Sequence, residues 1–297
     1  MSKPPEHVRE LAEERARCRS AGDFPEADAL RERIRAAGWE VLDRPDGYDL
    51  RSAGPHRPAT VSPDAVPSVL GDPATTDWTL QWLHEGWPED VLRGISSFDR
   101  HAGERALHHV VVEAVSVPPS TWPDHVETVR LREHPGFGAA RNAGLVRSRG
   151  RLVGILDGSV EATGDALAPL EAALTDPTVG VTGPVGVVTS DLREFRESPG
   201  PEVDAVEGYL MALHRELLDR VAFDRRYRFF RAADIDLSFQ VKASGLRAIR
   251  VDAPIRRHVH RAWENTSNHD RARLSKRNMY RFLDRYRGRT DLLVSPD

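Results

Sequence analysis

The sequence predicts an α/β protein, a mostly parallel sheet flanked by helices, with a small helical hairpin and β-ribbon ahead of it. Three observations carry this expectation. From Trp78 onward, short apolar runs alternate with amphipathic stretches and short loops, the pattern of strands and helices wound into a parallel sheet. Before residue 50, two stretches with apolar residues at helical spacing give way to two short extended runs. Residues 51–76 are rich in Pro, Ala and Ser without a sustained period, which is the composition of a linker. The expected organisation is therefore a hairpin module over 1–50, a linker over 51–76 and one large domain over 77–297.

In the first module, Val8, Leu11, Ala12 and Ala16 fall on one helical face. Asp23 stands three residues before Glu26, the spacing of a capping box. Ala27, Leu30, Ile34 and Ala37 mark the second helix, which Gly38 should end. Trp39–Leu42 and Tyr48–Leu50 read as strands around the turn Arg44-Pro45-Asp46-Gly47. In the large domain, strands are expected at Trp78–Leu83, Val110–Val112, Val126–Leu131 and Leu152–Leu156. Helices are expected from Pro88 to about Phe98, around Ala139–Arg147 and through Leu167, Leu170 and Leu174. A last helix carries the stripe Leu274, Asn278, Met279, Phe282, Leu283 and Tyr286. It is read as packing on the sheet, with a membrane-surface contact through Arg277, Arg281, Arg285 and Arg287 as the alternative.

Composition narrows the function classes. The chain has 297 residues, 39% hydrophobic and 30% charged, as globular proteins do. Forty-two basic against 46 acidic residues give a net charge of −4, so charge supplies no argument for a nucleic-acid partner. A single cysteine, Cys18, excludes an internal disulfide framework and a thiolate zinc site. No signal peptide is visible, and no apolar run is long enough to cross a bilayer, so the expected location is the cytoplasm, with peripheral membrane contact as the alternative.

The stretch from Arg231 to His260 draws attention on chemical grounds. Asp234 and Asp236 stand at a predicted helix start, and His258 and His260 follow one helix and one strand later. Such an order can bring an acid and an imidazole to one end of a sheet, where ligands of open α/β sheets bind. Asp157 and Glu113 fall at comparable strand ends. The bland reading is a helix-capping carboxylate and two surface histidines.

Two resemblances add to this. Ala27-Asp28-Ala29-Leu30-Arg31, Gly38-Trp39-Glu40-Val41-Leu42-Asp43 and Gly47 resemble the C-terminal tail of cysteinyl-tRNA synthetases. The match spans roughly the first 50 residues and implies a small folding unit without aminoacylation; docking to RNA or a partner is the alternative to passive packing. The ordered series Gly138-Ala139-Ala140-Arg141-Asn142-Ala143-Gly144, Leu152–Asp157, Phe223-Asp224, Asp234-Ile235-Asp236-Leu237-Ser238, Gly245, Pro254 and His258 resembles family 2 glycosyltransferases over about 78–290. That resemblance implies a GT-A fold and inverting transfer of a sugar from a nucleotide-diphosphate sugar to an acceptor hydroxyl.

Carried over position by position, Asp234 matches the family's catalytic base, with Ala233 where a glutamate is usual. Asp157 matches the first acid of the Asp-x-Asp motif, whose third position is Ser159 here; Glu161 lies two residues on. Mn²⁺ or Mg²⁺ is the implied cofactor, held by Asp157 and His258. Without a metal, Arg141, Arg256, Arg257 and Arg261 are candidates to balance the diphosphate. Glu113, Arg141, Asn142, Asp157 and Ser159 are the implied donor-binding residues. Asp236, Trp263 and Glu264 are candidates for the sugar or acceptor, Asp236 alternatively bonding backbone or a nearby arginine. Gly136-Phe137-Gly138 lacks the dinucleotide glycine spacing and is read as close helix–sheet packing. The competing functional reading is a non-catalytic GT-A binding or scaffold protein with a degenerate metal and nucleotide site, motivated by Ser159 and Ala233.

Overall fold

A computed structural model describes residues 4–37, 39–44, 47–52, 60–114, 120–132 and 135–294, in two compact units, 1–59 and 60–297. In the first unit, helices α1 (Glu6–Ser20) and α2 (Phe24–Ala36) precede an antiparallel ribbon of β1 (Trp39–Arg44) and β2 (Gly47–Ser52). Asp23 accepts a hydrogen bond from the Glu26 N–H at 3.3 Å, as the cap spacing predicts. Val8, Ala12, Ile34, Trp39 and Val41 form the core. Ala16 is only half-buried; the buried neighbour is Arg15, whose guanidinium is clamped in a fork by Asp43 at 2.8 and 3.0 Å. The turn residues Pro45 and Asp46, and Gly38, lie outside the described residues.

The second unit holds β3 (Thr76–His84), α3 (Pro88–Arg100), β4 (Leu107–Ala114), β5 (Val126–Leu131), α4 (Phe137–Leu145), β6 (Gly150–Leu156), β7 (Val160–Ala162) and α5 (Leu167–Leu174). It continues with β8 (Val179–Gly183), β9 (Gly186–Val188), β10 (Arg196–Ser198), β11 (Glu202–Val203), β12 (Ala205–Val206), β13 (Leu210–His214), α6 (Ala233–Ala243), β14 (Arg247–Arg250), β15 (Ile255–Arg257), α7 (Arg261–Glu264) and α8 (Asn268–Tyr286). Eight strands form the main sheet in the order β11-β14-β8-β13-β6-β3-β4-β5. Pairing is parallel among β6, β3, β4 and β5 and between β8 and β14. Among the described strands of this sheet, only β13 and β11 run the other way.

Strand alternation sorts side chains between two helical layers. Leu152 and Leu156 of β6 join Trp78, Trp82, the α3 residues Val91 and Ile95, and Leu167 and Leu170 of α5. Val153 and Ile155 point the other way, onto Leu145 of α4 and Leu237 and Val241 of α6. Helix α8 buries Phe282, Leu283 and Tyr286 against Phe239 of α6. Its Arg285 reaches Asp236 at 3.3 Å and its Arg281 donates to Asn278 and to the Arg226 carbonyl, so part of the arginine row faces protein. No helix of the described residues is long and apolar enough to cross a membrane.

The expected linker divides. Residues 53–59 lie outside the described residues. Residues 60–76 instead run along the larger unit: Val61 bridges Leu131, the Val69 N–H donates to Val146 at 2.9 Å, and Thr75 to Arg149 at 2.9 Å. Pro-rich composition marked irregular backbone there, but irregular backbone still places its donors on a neighbour.

Candidate active site

Three chain segments meet at the carboxyl edge of the parallel strands. Register puts His84 opposite Glu113 and Trp82 opposite Leu156, so Glu85, Glu113 and Asp157 emerge along one edge. Strand β13 runs antiparallel with Leu210 opposite Leu156, which delivers its entering residues Glu207, Gly208 and Tyr209 to the same edge. The Asp157 N–H donates to the Tyr209 carbonyl at 3.0 Å. The ribbon β15–β7, with Arg257 opposite Val160, brings the following residues back to Asp157.

Helix α6 supplies Asp234. Its N-cap, Ala232, sits in the left-handed region at φ 65°, an uncommon conformation for a residue with a Cβ and one that costs about 1–2 kcal/mol. The strained cap turns the chain so that the Asp234 carboxylate meets the backbone of Gly208, whose N–H donates to Oδ2 at 2.7 Å. The Ile235 N–H donates to Oδ1 at 2.9 Å. Gly208 leaves the space that a side chain would take: a Cβ there would lie 3.3 Å from Asp234 Oδ2. Asp234 is half-buried and lines a cavity of about 580 Å³ that Asp157, His260, Glu207, Arg231 and Arg141 also line. Burial pushes its pKa up, against the pull of the two N–H groups and of Arg231.

Asp157 binds Ser159 through Oδ1, accepting from its N–H at 2.8 Å and from its hydroxyl, and faces His260 Nε2 through Oδ2 at 3.0 Å. Burial opposes its ionisation, but His260 and Ser159 outweigh that and hold the pKa low. His260 is raised in turn: burial lowers it, and the bond to Asp157 more than compensates. His260 Nδ1 accepts the Trp263 N–H at 3.1 Å, which leaves the ring proton on Nε2, aimed at Asp157. Glu85 completes the corner: Glu85, Asp157 and His260 each offer a ligand atom within 4.8 Å of the others. Burial, then the charge of Asp157, raise Glu85 to about 7. Two carboxylates fit a hard dication; the imidazole, as it stands, offers a hydrogen bond where a metal needs a lone pair.

The other expected site residues have partners of their own. His258 donates its backbone N–H to the Ser159 carbonyl at 2.8 Å, but its ring Nε2 lies 2.7 Å from Glu161, and the imidazole that meets Asp157 is that of His260. The chain leaves the ribbon after Arg257 and α7 starts at Arg261, so strand alternation does not carry His258 and His260 to one face. The Asn142 amide is engaged by Phe223, donating to its carbonyl at 2.8 Å and accepting its N–H at 3.0 Å, which clamps α4 to the Phe223 segment. Asp236 is 1% exposed and held by Gln240 at 2.7 Å and Arg285 at 3.3 Å, so it takes the arginine alternative and not the acceptor one. Glu113 is buried and accepts from Trp122 Nε1 at 2.6 Å and the Ser120 N–H at 3.3 Å. Trp263 lies 4.9 Å beneath the Arg271 guanidinium and stacks on Phe229; it and the exposed Glu264 are outside the cavity lining. Among the arginines, Arg256 pairs with Glu161, Arg257 with Glu197, and Arg261 with Glu89 and Asp90. Arg141 is buried, giving hydrogen bonds to Gln81 Oε1 at 2.8 Å and the Leu156 carbonyl at 2.9 Å.

Two carboxylates escaped the sequence reading. Glu85 is one residue past β3, where the strand-end argument that singled out Asp157 applies equally. Glu207 shares the cavity with Asp234; burial and then the Asp234 charge raise it to about 7. The native state therefore holds a proton on Glu207 that the unfolded chain releases above the ordinary value of 4.5. Stability from this group is present below 4.5 and lost as pH rises toward 7. Glu207→Gln should be more stable than the parent by roughly 1 kcal/mol at pH 8, after allowance for solvent screening, and equal to it at pH 4. Urea melts at the two pH values check this; a gap independent of pH contradicts it.

The architecture is the mixed α/β fold of solved GT-A glycosyltransferases, and part of the chain matches a glycosyltransferase family model. The family model described as glycosyl transferase family 2 matches residues 109–253. The structure resembles GalNAc-T7 solved with UDP, GalNAc and Mn²⁺, at TM-score 0.56 and 16% identity, over 74% of this chain and 52% of that one. The mannosyltransferase PcManGT from Pyrobaculum calidifontis, solved with GDP-Man and Mn²⁺, aligns at TM-score 0.48 and 18% identity over 75% and 77% of the two chains. The N-terminal segment is 55% identical over 49 residues to a cysteine–tRNA ligase of Opitutus terrae, covering 16% of this chain and 11% of the ligase. It is 52% identical over 46 residues to one of Burkholderia lata, covering 16% and 10%. The chain thus spans about a tenth of the curated relatives it matches and about half of GalNAc-T7.

Proposed function

We propose that the chain is an inverting glycosyltransferase that moves a sugar from a nucleotide-diphosphate donor to an acceptor hydroxyl. The observation that carries this reading is the shared cavity, which both Asp234 and Asp157 line. Asp234 takes the proton of the acceptor hydroxyl as its oxygen bonds the anomeric carbon; the bond from that carbon to the diphosphate oxygen breaks, and its electron pair leaves with the diphosphate. The raised pKa of Asp234 makes it a stronger base than an exposed aspartate, while its two backbone donors keep it ionised and oriented.

Glu85 and Asp157 would hold Mn²⁺ or Mg²⁺, which supplies positive charge to the leaving diphosphate when bound. Arg231, at the cavity wall, adds a guanidinium on the same side as Asp234. GalNAc-T7, which shares the fold, was solved with UDP, GalNAc and Mn²⁺, and this supports a divalent cation here. The competing reading, a non-catalytic binding domain, draws on the Asp157 oxygens being already engaged by Ser159 and His260. Incubation with a panel of nucleotide sugars, with and without Mn²⁺, separates the two: turnover supports the enzyme, whereas binding of donor without turnover under any condition favours the binding domain.

A further inference from the structure

Residues 207–209 touch both carboxylates of the site. The Gly208 N–H donates to Asp234 Oδ2 at 2.7 Å, and the Tyr209 carbonyl accepts the Asp157 N–H at 3.0 Å. Under the transferase reading, the sugar in transit reaches from the diphosphate near Asp157 to the acceptor hydroxyl at Asp234, and so lies along this segment. Glu207 opens the segment and lines the same cavity. Its N–H is tied to the Val185 carbonyl at 2.8 Å, so backbone bonds fix both it and Gly208. The Glu207 carboxyl itself has neither a hydrogen bond nor an ion pair among the described residues. The charged and titratable groups around it are Asp234 of α6, Arg231 just before that helix, Glu197 of β10, Arg257 of β15 and the Tyr209 phenol. Both arginines are drawn elsewhere: Arg231 lies over Trp263 at 5.7 Å, and Arg257 lies over Tyr209 at 4.9 Å and pairs with Glu197 at 3.6 Å.

Hydrogen bonding decides which of the two neighbouring carboxyls ionises. Asp234 has two N–H donors, which favour its charged form, and Glu207 has none, so Glu207 is the one that holds a proton. A protonated carboxyl can donate a hydrogen bond, whereas a carboxylate can only accept. We propose that Glu207, in its acid form, donates a hydrogen bond to an oxygen of the transferred sugar. This rests on the transferase reading and adds a sugar-binding residue to it. Burial and the Asp234 charge keep the proton on Glu207 up to a pH of about 7; below that the bond is available, and it is lost as pH rises through that value. Ionisation also sets a further negative charge against an anionic ligand, so both effects weaken binding in the same direction.

The test is calorimetric titration of the full chain with UDP-glucose, GDP-mannose and dTDP-glucose, with Mn²⁺ present, at pH 6 and pH 8. Glu85 is also raised to about 7, beside Asp157, so the share of Glu207 is read as the difference between the parent and Glu207→Gln. Between the two pH values the parent's affinity for the sugar nucleotide that binds should fall about tenfold more than that of Glu207→Gln, whose amide donates without ionising. At pH 8, in buffers of different ionisation enthalpy, the parent should take up close to one more proton per ligand than this variant. Glu207→Ala, which has no donor, should bind about tenfold more weakly than the parent at pH 6 and show only the pH dependence of Glu207→Gln. The inference is overturned if Glu207→Gln keeps the parent's full pH dependence, or if Glu207→Ala binds as tightly as Glu207→Gln; either result leaves the transferase reading standing. If none of the three sugar nucleotides binds at either pH, the transferase reading falls and this assignment falls with it.

Discussion

Asp234→Asn should lower transfer by about 10³-fold while leaving donor affinity and the fold intact. The amide oxygen can still accept the Gly208 N–H that now reaches Oδ2 at 2.7 Å, which keeps the contact between α6 and Gly208; relief of the buried charge offsets the bond that the Ile235 N–H loses. What disappears is the capacity to take a proton. The stability change should run opposite to the activity change. Burial raises the carboxylate's pKa, so its contribution to stability is present below the ordinary value of 3.8 and falls as pH rises through the native value. Near neutrality the neutral amide should therefore melt at the parent's temperature or above it. A merely structural Asp234, serving as a helix cap, predicts the reverse pair: lower stability and little loss of rate. Measuring steady-state rate and melting temperature on the same preparation distinguishes them.

The second large effect belongs to Gly138→Val, and it should appear as lost stability. A Cβ at Gly138 would collide with the backbone carbonyl of Asp224, and the Gly138 N–H donates to the Tyr227 carbonyl at 2.8 Å. Neither neighbour is the free end of a side chain, so the two segments must separate. We expect a loss of about 3 kcal/mol, or about 6–12 °C in melting temperature for a unit of this size. Asn142, four residues on, clasps Phe223 from the same helix, and Phe137 and Phe223 are cavity walls. Parting these loops also spoils the pocket. If Gly138→Val instead melts normally and loses only nucleotide affinity, the segment is a phosphate loop and the packing account fails.

Much of the fold was legible because its signals are local. The β6 run Leu152–Leu156, bounded by Gly150 and Asp157, and the leucines of α5 appear where their apolar spacing puts them. The short antiparallel pieces were not. β7, β15 and β13 have three to five residues each, too few to show a period, and their pairing depends on partners far along the chain. That gap bears on the candidate site. Without β13, nothing in the sequence places Glu207 beside Asp234. Without the β15–β7 ribbon, nothing chooses between His258 and His260. The motif around Gly138-Ala139-Ala140-Arg141-Asn142 was visible, yet spacing alone could not tell that Arg141 and Asn142 spend their side chains on Gln81, Leu156 and Phe223.

The proposal depends most on Asp234 as base and Asp157 as the diphosphate-facing carboxylate, both in the lining of one cavity. Release of nucleoside diphosphate from a panel of nucleotide sugars, followed chromatographically with Mn²⁺ present, tests it most directly. At least one donor should be hydrolysed slowly by the parent chain, and Asp157→Ala should abolish both that hydrolysis and the protection of the fold by the same nucleotide. If no donor is cleaved and none raises the melting temperature, the cavity is not a nucleotide-sugar site and Asp234 is not a catalytic base.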